Sequence, residues 1–157
     1  MRILWLSGVT WCLAASVGGC RDKAEPARVV INGQTWFVDL ATTREQRHTG
    51  LGGRSNLNDN VGMLFIYPRP EVLQFCMRGC LVSLDIAFID ADKRVVKIHT
   101  MPAEEDMIGR VTYSSESPAQ YALETAAGSL ARAGVRVGDL VTFVGDIPDA
   151  TKAEDGP

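Results

Sequence analysis

The chain has 157 residues, about one domain's worth, of which 46% are hydrophobic and 22% charged. Those proportions exclude disorder as the main state, and 15 Gly with 7 Pro are too few for a collagen-like or low-complexity chain. A formal net charge of −3 argues against a nucleic-acid partner, which a basic excess would mark.

Arg2 followed by the apolar run Ile3 to Ala15 reads as a signal-peptide core, because the run falls short of the ~20 apolar residues that span a bilayer. Val17-Gly18-Gly19-Cys20 then leads small residues into a cysteine and resembles a bacterial lipobox, with Cys20 as the lipidated first residue of the mature protein. The plainer alternative is an ordinary signal peptide that ends near a cysteine. Polar Arg21-Asp22-Lys23 directly after Cys20 favours the lipoprotein, and two or more acyl chains would hold it stably at a membrane. Arg21, where an Asp would retain the protein at the inner membrane, resembles sorting to the outer membrane of a two-membrane cell. The expected organisation is a leader over 1–19, a polar tether over 20–28, one domain over 29–145, and a solvated tail over 146–157.

Val29-Val30-Ile31, Asn32-Gly33 and Trp36 to Leu40 predict a β-hairpin, since Asn-Gly accepts the positive φ angles of a tight turn. Thr42 with Glu45 three residues on is a capping-box pattern that predicts a short helix from Thr43 to about Gly50. A Gly/Asn-rich loop, Leu51 to Asn60, precedes an apolar strand, Met63 to Tyr67, that Pro68 and Pro70 should stop. Val72 to Met77 is a further strand candidate. Leu84 to Ile89 and Val95 to Thr100 predict a second hairpin around Asp90-Ala91-Asp92-Lys93-Arg94, with Lys93 in the left-handed region. Pairing Asp90 with Arg94 sets Asp85 opposite His99 and turns Leu84, Ile86 and Phe88 to an apolar face. Ser117-Pro118 predicts the start of a second helix carrying Tyr121, Leu123, Ala126 and Ala127, which Gly128 ends. After Gly138-Asp139 a last strand runs from Leu140 to Val144. The expected class is α+β: a compact, mostly antiparallel sheet or partly closed barrel with two short helices.

Several ordered motifs resemble domain-of-unknown-function family 192: Gly50-Leu51, Arg54, Gly62-Met63-Leu64-Phe65, Phe75-x-Met77-Arg78, Leu84 to Asp90, Tyr113-x-Ser115, Pro118-x-x-Tyr121-Ala122-Leu123-Glu124 and Gly138-Asp139. The resemblance covers roughly Val38 to Val144. It implies a compact α+β domain, often secreted or lipid-anchored, without an established reaction. The family's box Phe-Trp-Met-Lys-Asn-Thr is here Phe75-Cys76-Met77-Arg78-Gly79-Cys80, so roles tied to the aromatic, amide and hydroxyl of that box do not carry over.

Of four cysteines, Cys12 falls in the leader and Cys20 in the lipobox, which leaves Cys76 and Cys80 in the domain. Outside the cytoplasm a disulfide between them could persist. In extended chain their α-carbons would stand about 13 Å apart, beyond the ~7 Å a bridge allows, so bridging needs a turn at Arg78-Gly79. Two free buried thiols, or a redox or metal role, are the alternatives. His99, Met101 and Met107 could add soft ligands to Cys76, Met77 and Cys80, yet no C-x-x-C or H-x-x-x-H spacing is present, and methionine on strands ordinarily fills core. An Asp85–His99 pair could orient a base, with Ser114, Ser115 or Ser117 as nucleophile, but no G-x-S-x-G elbow exists. A structural ion pair is the commoner outcome.

The functional expectation is therefore a lipid-anchored, extracytoplasmic accessory domain with no cofactor. It would bind a small molecule or an envelope partner through Arg54, Arg78, Asp85, Tyr113 and Glu124, unless those charges pair among themselves. The alternative is a metal/redox or hydrolytic protein using Cys76, Cys80 and His99. Glu104-Glu105-Asp106 is expected to be a solvated loop.

Overall fold

The computed structural model describes residues 25–154, so the leader, Cys20 and the start of the tether lie outside the described residues. Among the described residues no helix is long and apolar enough to cross a membrane.

The first hairpin forms as expected: strand β1 (Arg28–Ile31) turns at Asn32 and Gly33, both at positive φ, into β2 (Gln34–Ala41). Helix α1 (Arg44–Thr49) follows, but its capping box lies one residue later than the sequence suggests. Thr43 Oγ1 accepts from the Gln46 N–H, and Gln46 Oε1 accepts from the Thr43 N–H. Strand β3 (Val61–Glu71) runs through Pro68 and Pro70, with an irregular register between Ile66 and Glu71. β4 (Gln74–Cys76) is shorter than the candidate Val72 to Met77, and pairs with an unanticipated strand β7 (Thr112–Ser114) in a separate two-stranded ribbon.

β5 (Leu84–Ile89) and β6 (Val95–Met101) form the second hairpin, with Lys93 at φ 62 as expected. Ile89 pairs with Val95, but a register shift between Phe88 and Ile89 then moves every further partner by one. Asp85 consequently faces Thr100, and His99 faces Ile86. The expected second helix after Pro118 is instead a strand, β8 (Ala119–Ala126), hydrogen-bonded between β3 and β5. Alanine-rich composition favours helix only weakly, and two flanking strands that satisfy both edges of this segment outweigh it. Helix α2 (Ser129–Arg132) begins after Gly128, which opens it where the sequence had it closing one. The last strand is β9 (Thr142–Val144).

The seven-stranded sheet has the order β6-β5-β8-β3-β2-β1-β9, antiparallel except for the β2–β3 pair. It curls into a half-barrel, a sheet-dominated form of the expected class in which helices are minor. Its two ends meet at a seam: Val141 N–H donates to Lys93 O at 2.8 Å, Gly138 N–H to Val95 O at 2.7 Å, and Arg94 bridges Leu140. Residues 146–154, expected as solvated tail, are folded. A 3-10 turn at Ala150–Lys152 packs on β3, and Ala150 and Ala153 are buried in the core.

Both faces of the central strands are covered. Leu64 and Ile66 of β3, Ala87 and Ile89 of β5, and Tyr121 and Leu123 of β8 join Val29, Ile31, Trp36 and Val38 inside the half-barrel. The alternate residues, Met63, Phe65, Ile86, Phe88 and Ala122, join Leu73, Met77, Cys80 and Met101 on the opposite face, under the β4–β7 ribbon. Period-two alternation explains the split. Gly62 is required where β3 crosses β8, because a β-carbon there would lie 2.3 Å from the Glu124 carbonyl oxygen.

Candidate functional site

On the second face a cavity of about 370 Å³ opens between α1, the far end of β3, and β4. Glu124 reaches it from β8, where it alternates with Leu123 and shares its face with Ala122. The side chain keeps only 4% of its exposure, and its carboxyl has no hydrogen-bond or ion-pair partner among the described residues. Burial pushes its pKa up to about 8, since water is withdrawn and nothing replaces it. Leu51, Phe65, Tyr67 and Phe75 form the walls, with Phe65 and Phe75 edge-to-face at 4.9 Å.

The rim is basic. Arg44, Arg47 and His48 come from α1, where three- and four-residue spacing sets them on one side. Arg47 is fixed by three carbonyls: Nη1 donates to Thr42 O at 2.8 Å and to Ile66 O at 3.0 Å, and Nη2 to Glu154 O at 2.8 Å. Its guanidinium also lies 4.7 Å from the Tyr67 ring centre. Burial, only partly opposed by Arg47, raises the Tyr67 phenol to about 12. Arg78 Nη1 stands 3.5 Å from His48 Nε2. No carboxylate of the described residues ion-pairs with Arg44, Arg47 or Arg78.

The box Phe75 to Cys80 is held by its neighbours. The chain turns at Arg78-Gly79, with Gly79 at φ 67 and Cys80 N–H donating to Met77 O at 3.1 Å. The turn that a bridge would need is present, but Cys76 and Cys80 are both free thiols. Burial, with Glu124 as the next cause, raises the Cys80 thiol to about 11. The acidic loop beside the box is ordered by its own carboxylate: Glu104 accepts from the Gly109, Arg110 and Val111 N–H groups at 2.9, 2.8 and 3.1 Å. Glu105 and Asp106 are exposed, so the loop is solvated as expected.

Of the five expected ligand-binding residues, Arg78 and Glu124 meet in the cavity; Arg54, Asp85 and Tyr113 do not line it. Arg54 pairs with Asp39 at 2.6 Å. Asp85, 2% exposed, accepts from Thr100 Oγ1 at 2.8 Å and from the Leu130 N–H of α2 at 3.1 Å, so it anchors α2 to β5. It does not pair with His99 or either arginine. Tyr113 packs on His99, ring centres 5.6 Å apart, and His99 Nε2 lies 2.9 Å from Ser114 O. His99 therefore does not join Cys76 and Cys80, and no three His, Cys, Asp or Glu of the described residues are grouped to hold a metal. The sequence reasoning missed Arg44, Arg47, His48, Tyr67 and Glu71. The Arg44/Arg47/His48 spacing was the available signal.

A larger depression of about 450 Å³ lies near Tyr121, Phe143 and Asp149. Lys93 already occupies its aromatic wall, with Nζ 3.6 Å from the Tyr121 ring centre. It buries no comparable unpartnered charge among the described residues.

A half-barrel bearing a lateral ribbon over one carboxyl-floored cavity is the class of domain these elements define. The chain belongs to domain-of-unknown-function family 192, "Uncharacterized ACR", whose model matches residues 27–143. It is similar to a crystal structure of a Sinorhizobium meliloti protein provisionally described as a transcription regulator, with 30% identity, a TM-score of 0.66, and coverage of 77% of this chain and 94% of that one. It is similar also to a protein of unknown function from Novosphingobium aromaticivorans, with 30% identity, a TM-score of 0.67, and coverage of 76% and 84%. No curated protein matches.

Proposed function

We propose that this protein is a lipid-anchored, extracytoplasmic accessory domain whose cavity binds a small ligand. The observation that carries the binding role is Glu124, buried, unpartnered and facing a cavity. A buried carboxyl without a hydrogen bond costs stability, and a ligand that supplies the missing partner would recover that cost. The volume is at the lower end of small-molecule sites, about 300–1,000 Å³. The anchoring role rests on the Val17-Gly18-Gly19-Cys20 pattern. On this reading the protein sits at the periplasmic side of a membrane, the outer one where there are two.

Thermal-shift measurement against a broad set of small metabolites tests the cavity. At least one compound stabilises the wild type and fails to stabilise Glu124→Gln; a set without any such compound would sink the binding role. For the anchor, Cys20→Ala should move the protein from the membrane fraction to the soluble one. An unchanged membrane fraction, or a mature chain lacking acyl mass on Cys20, overturns the lipoprotein reading. The metal, redox and hydrolytic alternative loses support because His99 lies apart from Cys76 and Cys80.

A further inference from the structure

The cavity has two chemically opposite ends. Its floor is a carboxyl beside Phe65, Phe75 and Tyr67, and its mouth carries the exposed cations Arg44 and Arg78 with His48 and one exposed carboxylate, Glu71. Arg44 and Arg78 are exposed and ion-paired to no carboxylate among the described residues, in a protein whose overall charge is negative.

We propose that the cavity takes a small zwitterion, such as a free amino acid, with its ammonium group on Glu124 at the floor and its acidic group between Arg44 and Arg78 at the mouth. This rests on the reading of the cavity as a small-molecule site. An ammonium suits the floor because it is a donor with no acceptor capacity, matching a carboxylate that has no donor. Aromatic faces also attract cations, more strongly when desolvated. Arginine at the mouth suits a carboxylate, which its planar fork binds through two parallel hydrogen bonds. A purely anionic molecule would satisfy the mouth and leave Glu124 alone. A purely cationic one would have to pass two arginines and His48 and leave them unpaired. A neutral polyol would offer Glu124 a hydroxyl but bring no charge to the rim. The volume admits a molecule of amino-acid size.

Binding carries a proton with it. In the empty cavity Glu124 is largely neutral near pH 7, its pKa standing at about 8. The groups that face the cavity are Arg44, Arg47 and His48 from α1, Tyr67 and Glu71 from β3, and Cys76, Arg78 and Cys80 from β4 and its turn. Tyr67 and Cys80 are held neutral by their raised pKa values, so neither competes for the ammonium as an anion. When the ammonium arrives, the carboxylic acid ionises to meet it and its proton leaves to solvent. Glu–COOH and R–NH3+ become Glu–COO− beside R–NH3+ plus one H+.

The test uses the mature protein and free α-, β- and γ-amino acids, screened by thermal shift. The strongest is then titrated calorimetrically at neutral pH in two buffers of different ionisation enthalpy. At least one amino acid should bind and release a proton. Its N-acetyl and its amide derivatives should each bind at least about tenfold more weakly, the scale of one lost charge-assisted contact. Glu124→Gln should reduce affinity by a similar factor, and Arg44→Ala with Arg78→Ala should abolish the preference for the free acid over its amide. Equal binding of the N-acetyl derivative, or no binding by any amino acid at millimolar concentration, overturns the proposal. If inorganic phosphate or a neutral sugar binds in a Glu124-dependent manner while amino acids do not, the zwitterion falls and the small-ligand site stands. If nothing binds, both fall.

Discussion

Asp85 on β5 and Glu124 on β8 are both buried carboxyls on neighbouring strands of one sheet, 2% and 4% exposed. Asp85 points to the face lined by Trp36, Leu64 and Tyr121, and both of its oxygens accept hydrogen bonds, from Thr100 and from Leu130. Trp36 on that side is closed in the same way: its Nε1 donates to Ser129 Oγ at 2.8 Å, and Ser129 donates onward to Asp59 O at 2.8 Å. Glu124 points to the other face and has no such partner among the described residues. The same residue chemistry is thus finished on one side of the sheet and left open on the other. Satisfied buried polar groups fix structure, whereas an open one beside a cavity is a place for something from outside.

Four measurements press on that contrast. The largest expected effect is a gain. Glu124→Gln should be more stable than wild type by an amount that grows as pH rises from about 4.5 to about 8 and then levels off. The sign follows from the raised pKa: the folded state keeps a proton that the unfolded chain releases, so wild-type stability is highest below 4.5 and is lost as pH rises through 8. The limiting slope is about 1.4 kcal/mol per pH unit, and urea midpoints across that range would read it; a flat difference contradicts the unpartnered carboxyl. Next, Trp36→Ala on the closed face should cost about 3–5 kcal/mol, by loss of packing and of the Ser129 bond. Asp85→Ala should cost about 1–3 kcal/mol by stranding the Thr100 and Leu130 donors. A stabilising Asp85→Ala would mean that the two carboxyls are alike after all. The smallest effect is Arg54→Ala: an exposed pair with Asp39 is worth at most about 1 kcal/mol, and ligand-induced thermal shifts should be unchanged.

Local chemistry was legible wherever one or two residues decide the backbone. Asn32-Gly33 and Lys93 adopt the positive φ angles their turns require, and a capping box does open α1. What failed depended on neighbours distant in sequence. Pro118 to Ala127 carries the small and long-chain residues of a helix, yet β3 and β5 hold it as a strand. Its Tyr121/Leu123 alternation with Ala122 and Glu124 was the signal for that outcome. The Asp85–His99 pairing failed by one residue, because a shift at Phe88/Ile89 cannot be read from turn length. Of the residues singled out in the sequence, Glu124 and Arg78 line the cavity. The basic side of α1 was legible only as the Arg44/Arg47/His48 spacing, which does not say what a six-residue helix will face once docked. Asp146 to Glu154 looks polar enough for a tail, yet Ala150 and Ala153 supply just enough apolar surface to seat it on β3.

The seam between Lys93–Val95 and Gly138–Val141 ties the middle of the chain to its end, and β9 then pairs with β1 from its beginning. A ribosome delivers β1 first and β9 last, so during synthesis the edge of β1 stays uncovered until nearly the whole domain has emerged. Such long-range closure slows folding, and an exposed strand edge invites pairing with other chains. Shortening the protein before Thr142 should therefore do more than trim an end. It would leave the edge of β1 raw, and the product to look for is aggregate, not a smaller soluble domain.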